Sequence, residues 1–168
     1  MRYSFRDFLP LIIIFACIIL FTALRQFMAG SWELINSMND FMAAFFIIFG
    51  VFKIINWHAF AEAYAMYDII AQRSTIYAYA YPLIEVGLGL AYLFRIYPIA
   101  TNLITFIVML ISSIGVALEL LKKRSIVCAC LGVVFKIPMT YVTLIEDILM
   151  AGMALGVLLY HLFDKTSF

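Results

Sequence analysis

The chain has 168 residues, of which 67% are hydrophobic and only 12% charged, and its mean hydropathy is +1.09. A soluble domain is about half apolar and about a quarter charged, so this composition predicts an integral membrane protein. The formal net charge of +1 gives nucleic-acid binding no electrostatic support. Three cysteines do not make a disulfide framework, and a close pair with one odd thiol suits a working dithiol or a metal site better.

The first predicted element is a charge-free run from Phe8 to Leu24, which spans about 25 Å as a helix at about 1.5 Å per residue. Arg2 and Arg6 precede it, as in a signal peptide, but no clean small-x-small cleavage site follows. We therefore predict an uncleaved N-terminal transmembrane helix within residues 1–30. Cys17, alone in this apolar helix, is expected to be a small buried hydrophobe.

A polar connection is predicted over residues 30–40, where Asn39 or Asp40 is a candidate N-cap for the next helix. The second span is predicted from Phe41 to Trp57. Its charge-free part is short. Lys53 is therefore expected either to extend to the membrane interface or to pair with a carboxylate inside the membrane.

The stretch from His58 to Gln72 mixes alanines with aromatic and charged residues. Aromatic residues are enriched at membrane interfaces, so we predict a short helix lying at the membrane surface. Tyr64 and Asp68 are four residues apart and share a face of that helix. Three further spans are predicted at Ile76–Phe94, Ile99–Leu118 and Tyr141–Leu162.

Glu85 lies near the middle of the third predicted span. A carboxylate at that depth costs a few kcal/mol on insertion scales, so it has to be neutral, paired or facing a wet interior. Lys53 and nearby tyrosines are its candidate partners. We predict a buried polar site formed by Glu85, Lys53, Asp68 and Tyr64.

Cys128 and Cys130 form a Cys-x-Cys pair in the connection before the fifth span, just after a basic cluster that favours thiolate. A redox interpretation is disulfide exchange between these two residues and a partner protein. In a metal interpretation the thiolates hold a soft ion such as Cu(I), Hg(II) or Zn(II), with Met139 as an extra ligand. The spacing does not separate the two interpretations. Glu146 and Asp147 follow near the start of the fifth span, where acidic groups also favour the helix dipole.

The distribution of lysine and arginine predicts the orientation of the five spans. The N-terminus, the second-to-third connection and the fourth-to-fifth connection share one side. That side carries eight basic residues: Arg2, Arg6, Lys53, Arg73, Lys122, Lys123, Arg124 and Lys136. The other side carries Arg25, Arg95 and Lys165. We therefore predict a multi-pass inner-membrane protein whose N-terminus and Cys128/Cys130 connection are cytoplasmic.

Several motifs together carry a family resemblance. Phe49–Lys53 (FGVFK), Phe60–Asp68 and Tyr81–Gly89 (YPLIEVGLG) resemble the MauE/DoxX superfamily of small redox-associated membrane proteins. Cys128–Gly132 (CACLG) and Thr143–Asp147 (TLIED) are similar to a MauE-like branch, which is often linked to heavy-metal-associated domains. The resemblance covers approximately residues 40–160.

The resemblance implies an all-α integral membrane protein with a four-helix transmembrane core over residues 40–163, to which the N-terminal helix is added. For MauE it implies a role in maturing the disulfide-rich small subunit of methylamine dehydrogenase, and for the metal-associated branch it implies heavy-metal handling. This chain departs from that branch in lacking its soluble metal-binding domain, so either a separate carrier delivers the ion or metal handling is not the task.

Three functions are carried forward. The first is thiol redox or maturation of partner proteins through Cys128 and Cys130, a thiol-disulfide activity without any hydrolase or transferase signature. The second is binding and transport of copper or mercury, with Cu(I) as the candidate cofactor, and the third is a structural membrane subunit. The expected partners are the lipid bilayer and a protein, either a redox partner or a metal carrier. Nucleic acid is not expected as a partner, and the sequence does not decide whether the protein forms a homo-oligomer.

Overall fold

The computed structural model describes residues 9–30, 32–122 and 141–164, and within these ranges the regular structure is entirely α-helical. The six helices are α1 (Leu9–Ala29), α2 (Leu34–Ile55), α3 (Trp57–Tyr64), α4 (Thr75–Leu93), α5 (Pro98–Leu121) and α6 (Tyr141–Asp164). Five of them, all but α3, are long and apolar enough to cross a membrane. The prediction of an all-α integral membrane protein is confirmed.

The bundle is built from two closely packed helix pairs, α2 with α4 and α5 with α6. Additional contacts between α4 and α5 and between α2 and α6 join these pairs into a four-helix core. Helix α1 packs on the outside of α2 and buries only three side chains, those of Leu11, Ile18 and Gln26. Its other side chains are mostly directed outward, as expected for a span that meets lipid. Cys17 is one of them, so the expectation that it is buried is wrong.

The close approach of α2 and α4 depends on glycine. A Cβ atom on Gly89 would lie 2.9 Å from the backbone nitrogen of Ile47 and 3.1 Å from the carbonyl oxygen of Ala43. On the other side of the contact, a Cβ atom on Gly50 would lie 3.2 Å from the carbonyl oxygen of Pro82. Small residues let the helix backbones approach in this way, and this brings the polar groups of α2 and α4 within bonding distance.

Helix α2 begins at Leu34, so the prediction of a polar connection capped by Asn39 or Asp40 is wrong. Both residues lie inside the helix and are buried. Asp40 is stabilised there because its carboxylate accepts hydrogen bonds of 2.8 Å from Gln26 and 2.8 Å from Arg95. These donors come from other elements of the fold, and no local pattern around Asp40 indicates them.

The surface helix predicted over residues 58–72 is shorter than expected, because α3 ends at Tyr64 and turns follow it. The carboxylate of Asp68 accepts the backbone N–H groups of Ile70 at 2.9 Å and Ala71 at 2.8 Å. Aspartate often bonds nearby backbone in this way, and these bonds hold the chain in a turn. Phe60, Tyr64 and Asp68 are buried, so this face of the region points into the bundle, whereas His58 and Glu62 are exposed.

The two ends of the bundle differ in the elements that they contain. We call the end that carries α3 the α3 end. The C-termini of α2 and α5 and the N-termini of α4 and α6 also lie there. The opposite end, here called the turn end, contains the C-terminus of α1, the N-terminus of α2 and the short α4–α5 connection. Each end has its own polar cluster.

Candidate functional site

A buried ion pair lies at the α3 end. The Nζ atom of Lys53, from α2, lies 2.5 Å and 2.6 Å from the two carboxylate oxygens of Glu85, from α4. Only 7% of the lysine side chain and 2% of the glutamate side chain are exposed. Of the two alternatives predicted for Lys53, the structure shows pairing with a carboxylate inside the bundle. A buried pair of this kind needs close geometry to offset the cost of removing both charges from water.

Aromatic rings surround this ion pair. Lys53 Nζ lies 5.0 Å from the ring centroid of Tyr81 and 5.6 Å from that of Phe60, both within the range of cation–π attraction. The ring of Tyr64 packs on that of Tyr81, with 4.4 Å between the centroids. The faces of these rings offer the ammonium group an additional electrostatic partner.

The other two predicted site residues lie beside this pair and bond to each other. The Tyr64 hydroxyl donates to Asp68 Oδ2 at 2.9 Å. Burial raises the pKa of Tyr64 well above its usual value, and nearby Tyr81 and Asp68 add to the effect, so the hydroxyl stays protonated and remains a donor. Asp68 also accepts two backbone N–H groups. We conclude that Asp68 holds the turn, while Tyr64 faces the ion pair.

Glycine also positions the segment that carries Asp68. A Cβ atom on Gly115 of α5 would lie 2.8 Å from the carbonyl oxygen of Tyr67 and 3.2 Å from the Cα atom of Asp68. The turn therefore lies directly against the backbone of α5. This contact fixes the depth at which Tyr64 and Asp68 enter the bundle.

A small cavity of about 20 Å³ lies beside the ion pair, which is enough room for a water molecule. Its walls come from the four core helices, from α3 and from the turn after α3. The lining residues are Phe45, Phe49, Lys53, Phe60, Tyr64, Tyr67, Tyr81, Glu85, Met109, Ser112, Val116, Glu146 and Asp147.

Glu146 and Asp147 belong to this cavity, which was not predicted from the sequence. Asp147 accepts a hydrogen bond of 2.9 Å from the Ser112 hydroxyl, and this bond joins α6 to α5. Glu146 is 7% exposed, and its Oε1 atom has no hydrogen-bond partner in the described part of the chain. The sequence signal for this site was a pair of adjacent carboxylates inside an apolar span. Because the pair lies near the start of a helix, stabilisation by the helix dipole explained it equally well.

The MauE family, described as "Methylamine utilisation protein MauE", matches residues 31–160. The chain belongs to the MauE family. The match covers α2 to α5 and most of α6, so it includes every element that lines the cavity. It confirms the MauE resemblance noted from the sequence motifs. No curated protein and no solved structure matches the chain.

Three predicted site residues, Cys128, Cys130 and Met139, lie outside the described residues. The connection that carries them leaves α5 after Leu121 and re-enters the bundle at α6, at the α3 end. Among the described residues, no group of three or more histidine, cysteine, aspartate or glutamate side chains is arranged to hold a metal ion. The thiol and metal roles of these three residues stay predictions.

Proposed function

We propose that this MauE-family protein is a membrane-embedded maturation factor whose Cys128 and Cys130 exchange disulfides with a partner protein. The observation that carries the proposal is the family match over residues 31–160, which includes both cysteines and the Lys53–Glu85 pair. The family description refers to methylamine utilisation. The partner suggested by the sequence resemblance is the disulfide-rich small subunit of methylamine dehydrogenase.

The proposed chemistry is ordinary thiol–disulfide exchange. The thiolate of one cysteine attacks a disulfide sulfur of the partner, so that a mixed disulfide forms and a partner thiolate leaves. A different partner thiolate then attacks the mixed disulfide. The partner gains a rearranged disulfide, and the protein's thiolate is released. This isomerisation transfers no net electrons. If the mixed disulfide stalls, the second cysteine attacks it, which forms a Cys128–Cys130 disulfide and leaves two thiols on the partner. That rescue transfers two electrons to the partner, and a dithiol reductant of the cell has to return the Cys128/Cys130 pair to thiols.

The topology supports this proposal because the described residues on either side of the connection, Leu121 and Tyr141, lie at the α3 end. Leu121 lies five residues beyond Val116 in α5, and Tyr141 lies five residues before Glu146 in α6. At about 1.5 Å per residue, both ends of the connection are about 8 Å along the helix axes from the cavity lining. At the start of the connection, Lys122 bonds to Glu119 at 2.6 Å.

Thiol trapping on the full-length protein tests the proposal. Cells that produce the candidate partner are quenched with acid, and free thiols are alkylated before electrophoresis. We expect the Cys128→Ser or the Cys130→Ser variant to accumulate a mixed disulfide, because the rescuing thiol is absent. Cys17→Ser is the matched control, since Cys17 is exposed on α1, outside the core. A pair that stays reduced in every variant, without any mixed disulfide, would contradict the proposal.

Titration with Cu(I) and Hg(II) distinguishes the soft-metal alternative. If the purified protein binds either ion stoichiometrically and the double variant Cys128→Ser/Cys130→Ser loses the ion, metal binding and transport replace disulfide exchange as the function. Labelling of the Cys17→Ser/Cys128→Ser variant, in which Cys130 is the remaining cysteine, with a membrane-impermeant thiol reagent tests the orientation. We expect no labelling of Cys130 from outside intact cells.

A further inference from the structure

We propose that the cavity beside the Lys53–Glu85 pair is a proton-binding site, in which the carboxyl group of Glu146 takes up and releases the proton. The site consists of described residues only. It is therefore independent of whether Cys128 and Cys130 exchange disulfides, and its test is separate from theirs.

The first argument is the charge balance around the cavity. Three carboxyl groups line it, those of Glu85, Glu146 and Asp147, and Lys53 supplies the single ammonium group among the lining residues. Lys53 contacts both oxygens of Glu85 and so compensates that carboxylate. An uncompensated carboxylate inside a membrane protein is costly, and protonation is the ordinary way to remove the cost. Glu146 and Asp147 are therefore the two lining groups from which the proton acceptor has to be chosen.

The second argument separates Glu146 from Asp147. Asp147 accepts a bond from Ser112, whereas Glu146 Oε1 is buried without a partner in the described part of the chain. An unsatisfied buried acceptor costs about 1–3 kcal/mol, so this oxygen favours either a proton of its own or a water molecule that donates to it. Among the lining carboxyl groups, Glu146 is the one with an oxygen that lacks a hydrogen-bond donor in the described part of the chain.

The third argument is the cavity itself. At about 20 Å³ it has room for a water molecule, and a buried water needs two to four polar partners. Lys53, Glu85, Glu146 and Asp147 all line it and provide those partners. A water at this position would connect the unpartnered oxygen of Glu146 to the ion pair. It therefore gives the proton a route between the carboxyl groups of α4 and α6.

The other groups that face the cavity leave this assignment unchanged. Asp68, next to the lining, already accepts three hydrogen bonds. Ser112 donates to Asp147, and the three lining tyrosines supply only phenol groups. The titratable and polar groups around the site are Lys53 of α2, Tyr64 of α3, Tyr67 and Asp68 of the turn, Tyr81 and Glu85 of α4, Ser112 of α5, and Glu146 and Asp147 of α6.

Infrared difference spectroscopy of the full-length protein in lipid nanodiscs tests the proposal directly. We expect the carbonyl stretching band of a protonated carboxyl group at acidic pH, and its loss as the pH rises. The band should be absent in Glu146→Gln. It should remain in Glu62→Gln, because Glu62 is an exposed glutamate of α3 with 67% of its side chain accessible. A wild-type spectrum without the band, or an unchanged band in Glu146→Gln, overturns the proposal.

Thermal unfolding provides a second readout that does not depend on spectral assignment. Glutamine has nearly the shape of a protonated glutamate, so Glu146→Gln should melt like the wild type at acidic pH. The folded state holds a proton that the unfolded chain releases more readily, so wild-type stability should fall as the pH rises. Glu146→Gln should lose less stability over the same range. Equal pH dependence in the two proteins overturns the proposal. A melting temperature that depends on the sodium concentration instead of the pH also overturns it, because the cavity would then bind a sodium ion in place of a proton.

Discussion

The polar clusters at the two ends of the bundle contain similar charged groups but differ in how far these groups are exposed to water. At the turn end, Asp40 contacts Arg95 at 2.8 Å, Gln26 at 2.8 Å and Arg25 at 3.5 Å, beside an open cavity of about 390 Å³. The two arginine side chains are 44% and 35% exposed. At the α3 end, Lys53 and Glu85 are buried beside a cavity of about 20 Å³, which has room for a water molecule.

The charge balance of the two clusters differs as well. The turn end has two guanidinium groups for one carboxylate, and water reaches the excess positive charge. The residues that line the α3-end cavity include three carboxyl groups and one ammonium group, and Lys53, Glu85 and Glu146 are buried. We infer that the turn-end cluster fixes the positions of α1, α2 and the α4–α5 connection, whereas the α3-end cluster has to bind protons. A carboxylate that is removed from water and has no cationic partner is neutralised by protonation.

Backbone conformation supports a structural role for the turn end. Arg95 and Tyr97 have positive φ angles of 56° and 42°, and for residues other than glycine that conformation costs about 1–2 kcal/mol each. Arg95 offsets part of this cost through its bonds to the Asp40 carboxylate and to the carbonyl oxygen of Asn36 at 3.3 Å. The ion pair therefore keeps the short α4–α5 connection in its strained form.

Breaking the buried Lys53–Glu85 pair should have the largest effect on the free energy of unfolding. Lys53→Met leaves Glu85 buried without its partner, which should cost about 3–5 kcal/mol of unfolding free energy, measured by denaturant titration in detergent micelles. The double variant Lys53→Met/Glu85→Leu removes both charges and should recover most of that loss. If Lys53→Met is as stable as the wild type, Glu85 is not compensated by Lys53 as described.

A change in the α2–α4 contact should have an intermediate effect. Gly89→Ala places a methyl group against the backbone of α2, so the helices must separate, at a cost of about 1–3 kcal/mol. Gly87→Ala is the matched control on the same helix, because nothing lies within 4 Å of a Cβ atom there. The same unfolding titration compares the two variants. Equal stability would mean that the close approach at Gly89 does not hold α2 against α4.

Removal of the turn-end carboxylate should have the smallest effect and the strongest salt dependence. Asp40→Asn should cost about 1 kcal/mol, since its arginine partners are partly hydrated. The difference from the wild type should shrink as salt rises, because salt screens partly exposed charges more than buried ones. Glu33→Gln, at an exposed turn-end residue bonded to Asn36, is the control. An equal salt response for Asp40→Asn and Lys53→Met would remove the distinction between the clusters.

The sequence predicted the five spans well because hydrocarbon-length apolar runs are a strong signal. It placed the start of α2 too late, because the bonds that bury Asp40 come from residues 14 and 55 positions away. For Lys53 it left two alternatives, because only the packing of α4 on α2 places a carboxylate within reach. For Glu146 it left a functional role and the helix dipole as alternatives for a similar reason: its environment comes from α2, α4 and α5, and spacing within α6 does not encode it.

The Lys53–Glu85 pair also has a consequence for biosynthesis. Lys53 is synthesised 32 residues before Glu85. At about 5–20 residues per second, α2 waits about 2–6 s before its counter-ion emerges from the ribosome. Lys53 lies in the last turn of α2, so its side chain can extend to the membrane interface during that interval. We infer that Lys53 turns inward only when α4 packs on α2, so that the ion pair forms after both spans have been inserted.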